Sequence, residues 1–355
     1  IYWSEAQLFA GTRDQLNRNY GDARARLALG QRVAPWNWRF ERRLGEVALA
    51  QGDWAAAEEH FRAAAAAHPY FVMAYLPLAQ TQLVQAQQMM AEANAEDGPP
   101  DHREALRLLG RAAANATTAL GYVPQLTQAH ETLGRIASIR SVALMQAMQR
   151  RDTQELRAQW RLAEQHLLDA IRYGASNQGE LYRMVAKVRQ ARGDVAGANE
   201  AYARAATNDP ADATTWQDWF AVCNATQEYD RLRNALINNV NRLRQVREDD
   251  VMLATATEAE RAQALSAAQL WLAKTFEVGY TNIDRAAQAY RAAVLQAPER
   301  FETWVNYAVF AERHQRVDGL QEAIKVAAAQ ATDEAPLPPA IAALANTLAD
   351  DPETI

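Results

Sequence analysis

The sequence predicts an all-α fold in which a short helical hairpin repeats along the chain. Apolar and small residues recur every three or four positions on both sides of the turn at Gly52 and Asp53, and the same pattern returns around Gly193 and Asp194. Alanine is abundant and runs of alternating β-branched residues are almost absent, so the composition favours helix throughout. We therefore expect essentially no strand.

The clearest hairpin extends from Trp38 to Pro69. Gly52 suits the left-handed conformation that follows a helix C-terminus, and Asp53 suits the N-cap of the next helix. Pro69 disfavours the α conformation at the residue before it, so the second helix should end there. Two helices this short cannot bury their apolar faces alone, and the hairpin therefore requires a neighbour on each side.

The hairpin recurs with one constant displacement along the chain. The positions Leu44, Gly45, Gly52, Asp53, Ala57, Phe61, Ala64 and Pro69 correspond to Val185, Ala186, Gly193, Asp194, Ala198, Tyr202, Ala205 and Pro210. This arrangement resembles the tetratricopeptide repeat, a unit of about 34 residues with a small residue at the helix contact, Gly at the turn, Ala and an aromatic residue in the second helix, and a closing Pro. The resemblance implies an α-α superhelix, a right-handed solenoid in which each hairpin packs on its neighbours.

Taken in order, the chain predicts a single solenoid over residues 1–355 with about eight hairpins. We place them at 3–35, 38–69, 71–120, 123–174, 177–210, 212–249, 257–298 and 301–332. A C-terminal capping helix at 338–348 should cover the exposed end, because the last repeat of a solenoid needs a polar outer face. The sixth hairpin lacks the Ala and aromatic pattern in its second helix, where an apolar stripe consists instead of Leu232, Leu236, Val240 and Leu243. The seventh keeps Ala286, Tyr290 and Ala293 in register, and the eighth contains Trp304, Ala308, Ile324 and Ala327.

The third and fourth hairpins are longer than the others. In the third, Asp101 is the predicted N-cap of the second helix. Two adjacent long hairpins would project a paired ridge from one edge of the solenoid. That ridge is either a partner-binding site or an insertion that has drifted without a function, and the sequence leaves both open.

Composition narrows the function classes. The net charge is −6, without the basic face of a nucleic-acid-binding protein. The single cysteine, Cys223, falls on a small-residue packing position, which favours a buried and inert thiol. The longest uncharged run, residues 63–91, contains prolines and several glutamines and would span a bilayer badly. The scarcity of lysine favours a GC-rich bacterial genome.

No motif for catalysis or for a cofactor is present. The six histidines are scattered, none lies in a His-Glu-x-x-His run, and there is no phosphate-binding glycine loop, nucleophile elbow or Cys-x-x-Cys pair. His130 and Glu131 are interpreted as part of a solvated helix face, as are Glu58, Glu59 and His60. The sequence predicts no catalytic, cofactor-binding or metal-binding residue, and hence not an enzyme.

Tetratricopeptide solenoids bind partners on the concave surface formed by the first helices. The resemblance places the following residues there: Arg39, Arg42, Glu46, Glu131, Arg135, Arg183, Lys187, Gln217, Asn224 and Trp271. The cations among them either hold an acidic or C-terminal carboxylate peptide or are ordinary solvated charges. The chaperone-binding carboxylate clamp of some members is not matched, because Glu46 stands where the clamp has Asn.

The preferred hypothesis is a non-catalytic scaffold that binds a partner protein or peptide in its concave groove as a subunit of a larger bacterial complex. The alternative is the extramembrane part of a membrane-embedded enzyme, because the layout is similar to O-antigen-ligase-like glycosyltransferases whose catalytic part would precede residue 1. A membrane-anchored context through a preceding segment stays open, and a periplasmic or membrane-associated location is slightly favoured over a cytoplasmic one. A third reading is a structural subunit of a large assembly.

Overall fold

The computed structural model describes residues 2–70, 72–95, 102–147, 153–245, 256–331 and 336–350. Within these ranges the secondary structure is helical and contains no strand. The chain divides into two compact units, Ile1–Asn177 and Gln178–Ile355. The predicted all-α fold of repeated hairpins is confirmed, whereas the single solenoid over residues 1–355 stays a prediction.

The first unit contains four hairpins within its described residues, each packed on the next. Its helices are α1 (Tyr2–Leu16), α2 (Tyr20–Val33), α3 (Trp38–Ala50), α4 (Trp54–Ala67), α5 (Val72–Ala95), α6 (Arg103–Tyr122), α7 (Thr127–Ala147) and α8 (Gln154–Arg172). Odd-numbered helices are the first helices of their hairpins, and even-numbered helices are the second.

The second unit continues the pattern and ends in one extra helix. Its helices are α9 (Gln178–Ala191), α10 (Val195–Asn208), α11 (Ala213–Thr226), α12 (Asp230–Arg244), α13 (Glu258–Lys274), α14 (Ile283–Gln296), α15 (Phe301–Arg313), α16 (Val317–Gln330) and α17 (Pro339–Asp350). A single π-helical turn, Thr275–Gly279, follows α13. Helix α17 packs on α16, the position expected of a capping helix.

The turn chemistry of the two best-matched hairpins is the same. Gly52 and Gly193 have φ angles of 76° and 83°, a region that residues with a Cβ rarely adopt. After each glycine an aspartate caps the next helix. The backbone N–H of Ala56 donates to Asp53 Oδ1 at 3.0 Å, and that of Gly197 donates to Asp194 Oδ1 at 2.9 Å. The glycine lets the chain reverse and the aspartate satisfies a free N–H at the start of the second helix.

Close contact between the helices of a hairpin depends on a small residue in the first helix. A Cβ added to Gly45 would lie 2.8 Å from the ring of Phe61, and one added to Gly134 would lie 2.7 Å from the side chain of Leu167. Ala186 is fully buried at the corresponding position of α9. In the eighth hairpin Ala308, one of the apolar positions noted in the sequence, is exposed, and Ala311 one turn later is buried instead.

The two long hairpins share one hydrophobic core. Helices α5 and α6 have 24 and 20 residues, and α7 and α8 have 21 and 19. The buried cluster combines Leu83, Ala86, Met90, Ala105, Leu108, Leu109 and Ala112 of the third hairpin with Ile136 and Ala143 of the fourth. The added turns therefore pack against each other rather than standing apart as an unpacked ridge.

The predicted cap at Asp101 lies outside the described residues. The N-cap of α6 is His102, whose side chain makes no capping bond and instead places Nε2 2.9 Å from Gln146 Oε1 of α7. No helix within the described ranges is both long and apolar enough to cross a membrane.

Candidate concave-face site

All ten residues that the sequence places in the groove lie on first helices of their hairpins. They occupy α3 (Arg39, Arg42, Glu46), α7 (Glu131, Arg135), α9 (Arg183, Lys187), α11 (Gln217, Asn224) and α13 (Trp271). The first two helices belong to the first unit and the other three to the second unit. The candidate site therefore consists of one set of residues in each unit.

A cleft lies between α1 and α3 in the first unit. Its volume is about 370 Å³, and its walls combine apolar, aromatic and charged side chains. Lining residues from α1 are Glu5, Leu8, Phe9 and Thr12, and those from α3 are Trp38, Arg39, Arg42 and Arg43. Two of the predicted groove residues, Arg39 and Arg42, thus share one concave surface.

Arg42 is the most constrained cation of this cleft. Its guanidinium lies 5.9 Å from the centroid of the Trp38 ring, within the range of a cation–π contact, and 3.5 Å from Glu46 Oε1. Burial lowers the pKa of Arg42, an effect that the neighbouring Glu46 carboxylate opposes. Its Nε is buried and has no hydrogen-bond partner among the described residues. A buried N–H without a partner is costly, and Arg183 of α9 has a buried Nε in the same state.

Its neighbours on α3 and α1 differ in how strongly they are held. Arg43 Nη1 donates to Glu46 Oε2 at 2.6 Å, so Glu46 serves two arginines at once. Arg39 is exposed, and its guanidinium lies 4.0 Å from Glu5 Oε2 at the limit of an ion pair. Arg39 is therefore free to reorient, whereas Glu46 holds Arg42 and Arg43 in place.

The predicted residues on α7 form a separate ion pair. Arg135 Nη2 donates to Glu131 Oε1 at 2.9 Å, and Asn177 Nδ2 donates to the same oxygen at 3.1 Å. Glu131 is half-buried and accepts both of these hydrogen bonds on Oε1, so its side chain is only partly solvated.

In the second unit the cations of α9 face two aspartates that the sequence analysis did not single out. Arg183 Nε lies 3.4 Å from Asp212 Oδ2, and its Nη1 lies 3.5 Å from Asp218 Oδ2. Lys187 Nζ is 2.8 Å from the same Asp218 oxygen. Asp218 is on α11, the first helix of the next hairpin. Its negative charge therefore offsets the positive charges of Arg183 and Lys187 on α9.

The remaining predicted residues differ in their exposure and in their contacts. Gln217 is exposed. Asn224 is exposed and its Oδ1 accepts a hydrogen bond from the Tyr229 hydroxyl at 2.9 Å. Trp271 packs against Phe220, with ring centroids 5.4 Å apart, and lies 4.5 Å from Lys274 Nζ. Trp271 therefore acts first as a packing residue between α11 and α13.

The positive charges of the predicted groove residues are balanced by acidic side chains of the same chain. Each of Arg42, Arg135, Arg183 and Lys187 has an acidic side chain of this chain within 3.5 Å. An incoming carboxylate would compete with these internal partners. In the α1–α3 cleft, two of the predicted groove cations, Arg39 and Arg42, line one cavity together with Phe9 and Trp38.

A second cleft lies away from the predicted groove. It has a volume of about 540 Å³ and lies between α10 and α12, the second helices of the fifth and sixth hairpins, with Trp216 and Trp219 of α11 also in its wall. Buried Asn239 donates to the Pro210 carbonyl at 2.9 Å, while its Oδ1 has no partner among the described residues. None of the predicted groove residues lines this cleft.

Comparison with known proteins identifies the fold. No protein-family model and no curated protein matches the sequence. Among solved structures, the C-terminal part of a TPR repeat-containing protein from Cytophaga hutchinsonii is similar, with 9% identity and a TM-score of 0.52 over 84% of this chain and 98% of that one. The chain has the tetratricopeptide-repeat fold.

Two further tetratricopeptide structures show weaker similarity. A protein from Parabacteroides merdae has 12% identity and a TM-score of 0.46, and covers 87% of this chain and 99% of its own. A thermophilic protein from Thermus thermophilus has 17% identity and a TM-score of 0.42, and covers 62% and 98%. The fold assignment does not depend on either.

One pair of residues escaped the sequence analysis altogether. His130, interpreted as solvated, is buried, and its Nδ1 lies 3.0 Å from His166 Nδ1 on α8. The histidines are 36 positions apart and match no short motif. The alignment of the two helices in the hairpin could have revealed this pair. Gly134 of α7 contacts Leu167 of α8, and each histidine lies within about one helical turn of that contact.

Proposed function

We propose that this protein is a non-catalytic scaffold that binds an extended segment of a partner protein on the concave face of its hairpins. The tetratricopeptide-repeat fold and the position of all ten groove residues on first helices support this proposal. Rigid helices present these side chains in fixed positions, so little conformational entropy is lost from the scaffold on association.

The α1–α3 cleft is the proposed anchor point in the first unit. Phe9 and Trp38 supply aromatic surface, while Arg39 and Arg42 supply donors for a carboxylate. An acidic side chain or a C-terminal carboxylate would accept hydrogen bonds from the guanidinium groups of Arg39 and Arg42, whose side chains are 56% and 21% exposed. The presence of two arginines and two aromatic side chains in one cleft is the observation that carries the proposal.

A peptide array tests this assignment. The purified chain is applied to short peptides of varied sequence, each made with a free C-terminal carboxylate and as the amide, and affinities are measured by fluorescence anisotropy. We expect a subset with acidic or free C-termini to bind. Arg42→Gln should weaken these peptides by about thirtyfold, which corresponds to the roughly 2 kcal/mol of a charge-assisted hydrogen bond.

Arg62→Gln is the matched control. Arg62 is an exposed arginine on the second helix α4, paired with Glu58, and lies outside the cleft. This variant should bind every peptide as the unmodified chain does. Equal affinities of the Arg42→Gln variant and the unmodified chain would remove the cleft from the proposal.

Two further parts of the hypothesis are membership of a larger bacterial complex and a role in partner binding for the long third and fourth hairpins, whose shared core would hold such a surface rigid. The alternative of an extramembrane region of a glycosyltransferase gains no support from the similar structures described above.

A further inference from the structure

Three potential metal ligands converge inside the fourth hairpin. They are His130 on α7 and His166 and Asp169 on α8, and one ligand atom from each lies within 4.8 Å of the others. His130 is 7% exposed, and the other two side chains are half-buried. His166 and Asp169 are three positions apart, so they share one face of α8 opposite His130.

The tautomer of His130 directs a lone pair at this point. Its Nε2 is 2.9 Å from the carbonyl oxygen of Pro124, which only accepts hydrogen bonds, so Nε2 carries the proton. In the neutral ring Nδ1 then holds the lone pair, and Nδ1 faces His166. A metal-binding histidine typically donates its other N–H to a carbonyl or carboxylate in this way.

The spacing of the two imidazoles suits a shared metal ion. Two nitrogens bound to one tetrahedral ion at 2.0–2.1 Å lie about 3.3 Å apart. The observed Nδ1–Nδ1 distance is 3.0 Å, and a small rotation of either ring would bring it to that value. The Tyr173 ring, with its centroid 5.2 Å from that of His130, packs against the imidazole and restricts its position.

We propose that His130 Nδ1, His166 Nδ1 and the Asp169 carboxylate bind a divalent transition-metal ion, Zn²⁺ being the best fit. Two imidazoles and one carboxylate suit zinc and its neighbours better than Mg²⁺ or Ca²⁺, which prefer oxygen ligands. Asp169 Oδ1 lies 3.3 Å from Arg172 Nη1 across an exposed contact, which the metal would share or displace. The ion would join α7 to α8, and water would complete its coordination.

Titration of the full chain tests the proposal. After treatment with EDTA and dialysis, the protein is titrated with ZnCl₂ by calorimetry and with CoCl₂ by visible absorption. We expect one saturable site per chain, an absorption band typical of low-coordinate Co²⁺, and a higher thermal unfolding midpoint with Zn²⁺. His130→Ala and His166→Ala should each abolish the cobalt band, and Asp169→Asn should weaken Zn²⁺ binding at least about tenfold.

His60→Ala is the control, because His60 also contacts a carboxylate, Glu41 at 2.8 Å, but lies on α4. It should bind Zn²⁺ as the unmodified chain does. Asp169→Asn changes no side-chain volume and keeps the test valid if a histidine variant fails to fold. The absence of saturable Zn²⁺ binding by the unmodified chain, or an equal loss in the His60→Ala variant, would overturn the proposal.

Discussion

At the scale of single residues, the hairpins depend on a few positions with a specific physical task. Gly52 and Gly193 adopt positive φ angles, and Asp53 and Asp194 cap the helices that follow. These tasks are local, so the sequence revealed them directly. The sequence also predicted that Cys223 is buried. It is fully buried, and burial raises the pKa of its thiol to about 12.

The Asp194 cap makes a pH-dependent prediction. The N–H of Gly197 and then the Arg192 side chain hold the pKa of Asp194 below its usual value of 3.8. Because the folded pKa is the lower one, the stabilisation is present above pH 3.8 and is lost as the pH falls through the folded pKa. We expect Asp194→Ala to reduce the free energy of unfolding of this hairpin by about 1 kcal/mol at neutral pH.

Denaturant unfolding followed by circular dichroism between pH 2 and pH 7 measures this effect. The difference between Asp194→Ala and the unmodified chain should shrink at the acid end. Asp194→Asn is the control, because Asn also caps helices but does not titrate, and its stability at neutral pH should be close to that of the unmodified chain. A penalty for the Ala variant that stays constant over the whole pH range would contradict the account.

At the scale of elements, the longer helices of the third and fourth hairpins pack into one hydrophobic core. The sequence predicted their greater length from the delayed turns, but it did not predict that their inner faces form one cluster. The sequence analysis also did not predict the π-helical turn Thr275–Gly279. It brings Gly279 against Tyr229, where an added Cβ would lie 2.6 Å from the ring.

The shared core predicts a large effect of truncation at its centre. Leu109 is fully buried in α6, and Leu109→Ala should lower the free energy of unfolding by about 2–5 kcal/mol through lost burial and a cavity. Val142 of α7 is 50% exposed, and Val142→Ala should change stability by less than about 0.5 kcal/mol.

Chemical denaturation measures the free energy of unfolding of both variants. If Leu109→Ala and Val142→Ala each lowered it by a similar small amount, the third and fourth hairpins would not share a packed core.

At the scale of the whole molecule, stability should be additive over the hairpins of each unit, because within a unit each hairpin packs mainly on its neighbours in the chain. A defect in one hairpin then spreads to adjacent hairpins and fades beyond them. This behaviour distinguishes a repeat architecture from a globular domain, in which one cooperative core would respond as a unit.

Gly45→Ala tests this locality, since the new methyl group would meet the Phe61 ring. We expect a loss of about 1–3 kcal/mol from overpacking, seen by hydrogen exchange with mass spectrometry as faster exchange in α3, α4 and their neighbours. Exchange in α13–α16 should not change. Gly110→Ala in α6, where a methyl group meets nothing within 4 Å, should leave exchange unchanged or slow it. Uniformly faster exchange along the whole chain with Gly45→Ala would exclude additive hairpins.

The sequence by itself determined the hairpin, its repetition and the helix faces, because helical periodicity, capping residues and turn glycines act within a few positions of each other. It also placed all ten predicted groove residues on helices that are the first of their hairpins. The tertiary structure decided which side chains meet across hairpins. It paired Lys187 with Asp218, left the buried Nε of Arg42 without a described partner, and brought His130 to His166. Such contacts depend on how helices dock and on which rotamers fit between them. The hairpin register brings distant positions near each other, but it does not determine which of their side chains touch.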